Sequence, residues 1–423
     1  MLDLRDGVPR GADGCILLLA AGQGRRGYVT TGADPAAGES VRPGRGFPAE
    51  EFADRTRRCQ AAMEERDIAA IFVTTEPEVR YFTGFHTPFW QSPTRPWFTV
   101  IPATGKPVAV IPSIGRASMA ETWIDDIRTW SSPRPHDDGV TLLVDCLSEL
   151  AAGGSIGMPM GPETHVRMPL RDLDRVRAEV GDFTDVTDIV SGLRMVKSEL
   201  EIDKHRFICG VVSDAFDEIP NLLSTGMTER QAFAAFRAEI LRQGADDVPY
   251  LVGATGPGGI DDIIRQPTDR EIVDGDMLIF DTGSTYDGYF SDFDRNFAFA
   301  AATQAAMDAY RAVWEATEAG IAAARPGATT TDVFAAMNEV LKAAGSLGNE
   351  IGRMGHGLGM QVTEWPSHTA CDETPIVENM VLTVEPGLLW EPGKAMVHEE
   401  NIVVRAGGAE LLSRRAAPDL PII

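Results

Sequence analysis

The stretch MLIFDTGSTYDGYFSDFDRNFAFA, residues 277–300, decides how the chain is read. Two strand-like runs, MLIFDTG and GYFSDFDRNFAFA, carry acids where apolar residues should dominate. Asp281 closes a run of four apolar residues, and Asp292 and Asp294 stand two apart, hence on one strand face, amid Phe290, Phe293 and Phe297. A buried carboxylate is costly unless it is paired or meets a cation. Something positive is expected there.

Two later strands repeat the anomaly. Glu385 interrupts MVLTVEPGLLW (380–390), Glu399 and Glu400 interrupt MVHEENIVVRAGG (396–408), and His356 lies in the glycine-rich GHGLG. One imidazole with four carboxylates is a hard-to-borderline donor set, suited to Mn, Fe, Co or Zn. Taken singly, Asp281 and Asp292 also read as strand-end acids bonded to turn N–H groups, Asp294 as a partner of the Arg295 region, and His356 as a structural loop residue. Adjacent strand residues point to opposite faces, so Glu399 and Glu400 cannot share one site. Glu400 is expected outside it and exposed.

Working outward, residues 191–423 read as an α+β domain. Ser198 with Glu201 and Thr228 with Gln231 form capping boxes that open two helices, the second closed by Gly244. Two Ala-rich helices (about 300–325 and 331–344) lie between the strand blocks, a grouping unlike a parallel doubly wound sheet. Residues 47–190 alternate differently: a helix over 48–68, a buried strand IAAIFVTT, a hairpin over 97–112 turning at Thr104–Lys106, then helix, strand and helix. That is an α/β domain. Residues 1–46 show neither period and read as an irregular tail. Gly22, Gly24 and Gly27 have G-x-G-x-x-G spacing, but Gly/Pro-rich chain follows where a phosphate site needs a helix N-terminus.

Composition narrows the partners. The 423 residues hold 38 Lys+Arg against 63 Asp+Glu, a net charge of −25, which argues against nucleic acid and anionic membrane surfaces. Five scattered cysteines without a C-x-x-C pair, and no signal-peptide pattern, lead to a cytoplasmic expectation.

At FDTGSTYDGYFSDFDRNF, GHGLGMQVTEWP, LTVEPGL and VHEENIVV, in this order, the chain resembles the pita-bread metalloenzymes, among them aminopeptidase P, prolidase, methionine aminopeptidase and the metal-free creatinase. The likeness runs from Phe47 to about Ser413 and includes a creatinase-like N-terminal domain and the LRMVKSELEI junction. It implies two divalent transition-metal ions, of which manganese is one candidate, held by Asp281, Asp292, His356, Glu385 and Glu399, with Glu385 also moving the proton. It also implies a homodimer and a small-molecule or dipeptide substrate carrying a carboxylate.

The departures from the pattern matter too. Family peptidases carry three further histidines that contact substrate; here the first region reads DDIIRQPTDR, and the other two places hold Gly352 and Thr363. Glu364 and His368 are candidate catalytic replacements, His356 is counted with them, and Thr363 is placed in the substrate pocket. His86, Trp90, Arg95 and Trp97 are a candidate substrate clamp, Arg95 for a carboxylate and the tryptophans for a cation, with plain packing as the alternative for Trp90, Arg95 and Trp97. The expected activity is a metal-dependent hydrolase that splits an amide or related C–N bond by metal-activated water, Xaa-Pro dipeptidase-like by family default. The alternatives are a lyase like dimethylsulfoniopropionate lyase, an ectoine hydrolase-like enzyme, or a pseudoenzyme binding module.

Overall fold

The computed structural model describes residues 42–348 and 352–423. The motif Gly22–Gly27, Cys15 and the first 41 residues of the expected tail lie outside the described residues. Residues 42–46 are irregular and anchored. Lys204 Nζ donates to the carbonyls of Gly44 and Gly46, both at 3.0 Å, and the Gly46 N–H donates to Asp287 Oδ2 at 2.8 Å.

Strands β1 (Ile68–Val73), β2 (Phe98–Pro102), β3 (Val108–Pro112), β4 (Ile127–Trp130), β5 (Ser155–Met158) and β6 (Thr184–Asp185) form one mixed sheet in the order β4-β3-β2-β1-β5-β6. β1 is apolar throughout because both its faces are covered. Ile71 and Val73 pack with Cys59, Met63 and Phe82, while Ala70 and Phe72 pack with Leu143 and Leu147. The predicted hairpin forms, with Thr99 opposite Ala109.

The second half is α+β. β7 (Asp247–Pro257), β8 (Asp276–Tyr286) and β9 (Tyr289–Ala298) make an antiparallel sheet. Leu278, Phe280, Phe293 and Phe297 on one face join the core of the helices Glu199–Asp217 and Glu229–Gln243. β10 (His356–Gly357), β11 (Glu364–Ser367), β12 (Val381–Val384), β13 (Gly387–Glu391), β14 (Lys394–Val397), β15 (Glu400–Arg405) and β16 (Gly408–Leu411) complete the strands. The Ala-rich helices Gln304–Ala323 and Thr330–Ala343 pack with Leu382, Val384, Ile402 and Val404. Both capping boxes form: Ser198 N–H to Glu201 at 2.9 Å and Thr228 N–H to Gln231 at 2.9 Å.

Two long strands expected from the sequence are each divided. MVLTVEPGLLW breaks at Glu385–Pro386, and MVHEENIVVRAGG breaks at His398–Glu399. Pro386 has no N–H to give a ladder, and the His398 N–H reaches its carbonyl at 3.3 Å, so the two breaks lie side by side. Outside the strand ladders, Glu385 and Glu399 are free to turn toward β9.

Candidate metal centre

β8 and β9 pair so that Asp281 stands opposite Asp294 and Gly283 opposite Asp292. The three carboxylates therefore leave one face of the hairpin, away from the phenylalanine face. Gly283 also admits Tyr250 from β7, since a Cβ at 283 would lie 2.1 Å from the Tyr250 ring. The Tyr250 hydroxyl thereby reaches Asp281 Oδ1 at 3.2 Å and Asp292 Oδ1. The Asn401 side-chain amide brackets the Asp292 backbone, accepting from its N–H at 2.9 Å and donating to its carbonyl, which splices β15 onto β9.

His356 Nδ1 faces the Gly357 carbonyl at 2.9 Å. A carbonyl only accepts, so Nδ1 carries the proton and Nε2, 3.4 Å from Asp292 Oδ2, keeps its lone pair. Asp292, His356 and Glu399, all buried, each offer a ligand atom within 4.8 Å of the others. Asp281 and Glu385 keep part of their surface open.

The electrostatics follow from this crowding. Burial raises the Asp281 carboxyl to about 7. Burial and then the Asp281 charge raise Glu385 to about 8 against the opposing charge of Arg353. Burial also drives Asp292, Asp294 and Glu399 above the carboxylate range, with neighbouring carboxylates adding to it. Burial, then the Arg353 charge, holds His356 down at about 3, so its imidazole is neutral. Asp294 Oδ2 and Glu399 Oε1 are buried without a hydrogen-bond partner. Orphaned carboxylate oxygens beside a neutral imidazole fit a divalent cation.

Several sequence expectations need correction. Glu400 is fully buried, not exposed: Arg295 Nη2 lies 3.0 Å and Arg415 Nη1 3.1 Å from its carboxylate, and Ser413 and the Ala416 N–H also donate to it. Glu364 is not a free catalytic acid. It pairs with Arg194 and, at 3.3 Å, with Lys197, and accepts the Met360 and Gln361 N–H groups at 2.9 and 3.1 Å. Burial alone would raise its carboxyl, but these partners hold it down at about 2. His368 is fully buried against Gly355 and hydrogen-bonds none of the cluster carboxylates, so it is poorly placed to meet substrate.

The proposed clamp disperses as well. Trp97 is 1% exposed and packs against Phe85, Trp90 and Gly115, and Trp90 is 8% exposed, so both are core rather than a cation site. Arg95 sits at φ 59° on a loop pinned by Arg167, whose guanidinium donates to the carbonyls of Phe89, Trp90, Ser92, Thr94 and Arg95. His86 lines a separate crevice of about 160 Å³ with Phe52, Arg80 and Asp287. Thr363 accepts a hydrogen bond from Arg353 Nη2 at 3.2 Å.

Tyr250, Asn401 and Arg353 were not legible as site residues. A tyrosine in a strand and an arginine in a glycine-rich loop are unremarkable by type. The buried Asn401, between Glu400 and an apolar run, carried the one available signal.

Residues 203–406 match the model of metallopeptidase family M24, and residues 55–196 match the creatinase/prolidase N-terminal domain. The chain belongs to metallopeptidase family M24. It is 29% identical over 372 residues to the probable dipeptidase PepE of Mycobacterium tuberculosis, covering 85% of this chain and 93% of that one. It is 27% identical over 244 residues to the Xaa-Pro dipeptidase of Pyrococcus furiosus, 56% of this chain and 68% of that one. The crystal structure of dipeptidase PepE from Mycobacterium ulcerans superposes with a TM-score of 0.78 at 28% identity, over 90% of this chain and all of that chain. As a member of M24 the chain is a metal-dependent hydrolase with the pita-bread fold. Among the described residues no helix is long and apolar enough to cross a membrane.

Proposed function

We propose that this chain is a dipeptidase, with Xaa-Pro dipeptides as its first candidate substrates. Asp281, Asp292, His356, Glu385 and Glu399 would hold two divalent ions drawn from Mn, Fe, Co and Zn. The observation that carries the reading is the buried cluster of Asp292, His356 and Glu399, with an orphaned Glu399 oxygen, in a chain aligned over 85% of its length with a probable dipeptidase. Bound divalent ions would supply a Lewis acid and acidify a water toward neutrality. The protein supplies the rest. Tyr250 fixes the orientation of Asp281 and Asp292, the Gly357 carbonyl fixes the tautomer of His356, and the partly open Glu385 carboxylate takes a proton from the attacking water and returns it to the leaving amine.

The relatives give no support to the lyase, ectoine hydrolase and pseudoenzyme readings. Homodimerisation is part of the proposal, supported by the rigid loop 88–96 and its half-exposed Phe89; a monomer in sedimentation would remove it. A reducing, cytoplasmic setting is supported by the free thiols of Cys59, Cys146, Cys209 and Cys371. The test of function is turnover of Ala-Pro, Leu-Pro and Ala-Leu by protein loaded with each metal in turn, with metal content measured on the same samples. Turnover of Ala-Pro or Leu-Pro that vanishes on chelation is expected. A fully loaded protein that cleaves none of the three would overturn the reading.

A further inference from the structure

Arg353 lies three residues ahead of His356, on the segment entering β10, and is only partly buried. Among the described residues its guanidinium makes one hydrogen bond, from Nη2 to Thr363 Oγ1 at 3.2 Å, and no ion pair. Other arginines around the fold of the centre are committed to acids: Arg194 to Glu364, Arg295 to Glu400 at 3.0 Å, and Arg415 to Glu318 at 2.6 Å and Glu400 at 3.1 Å. Met354, the next residue, accepts the Glu385 N–H at 3.1 Å through its carbonyl, and His356 follows two residues later, which places Arg353 beside the cluster. A guanidinium has five N–H donors in a planar fork, and one neutral hydroxyl occupies one of them. The donors left over match a carboxylate bidentately.

We infer that Arg353, steadied by Thr363, receives the carboxylate of the substrate and sets the preference for an anionic dipeptide. The inference rests on the dipeptidase reading for its substrate class. It replaces Arg95, whose loop is held by Arg167, as the residue for that task. Thr363 acts through Arg353: its oxygen fixes one arm of the fork.

The experiment compares Ala-Pro with Ala-Pro amide, which lacks the negative charge, on metal-loaded wild type, Arg353→Met, Arg353→Lys and Thr363→Val. Two readouts are used: kcat/KM, and the dissociation constant of each peptide by calorimetry. Wild type should favour the acid. Arg353→Met should lose about 10²-fold on the acid and far less on the amide, so that the preference collapses. Arg353→Lys should fall between, and Thr363→Val should lower the preference about tenfold, all with metal content unchanged. An unchanged acid-to-amide ratio in Arg353→Met would overturn the inference. So would loss of metal with acid and amide falling together, since Arg353 would then be a counter-charge for the carboxylates. If Arg353→Met does not fold, the lysine and Thr363→Val variants decide in the same way. Preferential binding of the acid that depends on Arg353, without cleavage, would sink the dipeptidase reading and leave this one standing.

Discussion

Glu399 and Glu400 are chain neighbours with opposite surroundings. Glu399 leaves an oxygen unpartnered beside Asp292 and His356, while Glu400 is saturated by Arg295, Arg415 and Ser413. Glu399→Gln should therefore cost metal and activity with little change in melting temperature. Glu400→Gln should weaken a buried network and lower stability by about 3–5 kcal/mol while metal is retained at saturating concentration. Metal analysis and thermal unfolding of the two variants separate these outcomes, and equal metal loss in both would contradict the assignment. Tyr250→Phe removes only a hydroxyl, so metal affinity should fall about 10–100-fold with the fold intact, as titration of the apo protein would show. At this scale the acids were legible, because a carboxylate in an apolar strand is anomalous by type. Tyr250 was not, because its importance comes from Gly283 letting it cross a neighbouring strand.

Among the elements, the loop between β10 and β11 is wrapped around one carboxylate. Glu364 collects two loop N–H groups and two cations, Arg194 in the last turn of helix Thr187–Met195 and Lys197 just beyond it, and Gly359 has no room for a Cβ, which would fall 2.3 Å from the Glu364 oxygen. The sign of its pH effect follows from its lowered pKa. A carboxyl at about 2 in the fold, against roughly 4.3 in the unfolded chain, stabilises fully above pH ~4.5 and loses that contribution as pH falls toward 2. The contribution is roughly 3 kcal/mol. Stability measured by denaturant between pH 4.5 and 2 should fall more steeply in wild type than in Glu364→Gln, which starts from a lower plateau. Parallel slopes would show that Glu364 is not specially stabilised. Helices and capping boxes were legible at this scale since they are local. The broken strands were not, since Pro386 and His398 meet only in the folded sheet.

For the whole molecule, the β8–β9 hairpin joins the site to the N-terminal half. Its tip, Asp287 at φ 46° and Gly288 at φ 77°, is a two-residue turn of the primed type that Asp-Gly favours. Asp287 pairs with Arg80 of the first half at 2.8 Å and with Lys204 at 2.5 Å. Arg55, buried in the first helix, adds a pair with Glu201 at 3.2 Å. Asp287→Asn keeps the turn, because asparagine tolerates the left-handed region, but leaves two cations short of a partner. It should lower the unfolding temperature, at a cost of about 3–5 kcal/mol, and split calorimetric unfolding into two transitions as the halves uncouple. A single transition at the wild-type temperature would show that the latch contributes nothing.

The order of apolar runs, caps and misplaced acids determined the two-part α/β and α+β architecture and the five carboxylate and imidazole candidates, since burial of charge and helix or strand periodicity are written residue by residue. Partnership was decided only by the tertiary structure. Glu364, His368, Trp90 and Trp97 carry suitable chemistry for a site, yet the fold surrounds them with cations or packed side chains, and Arg353 acquires its place only when Thr363 comes up beside it. The physical reason is that the cost of burying a polar group is a property of the residue, whereas the partner that offsets this cost arrives from a distant part of the chain.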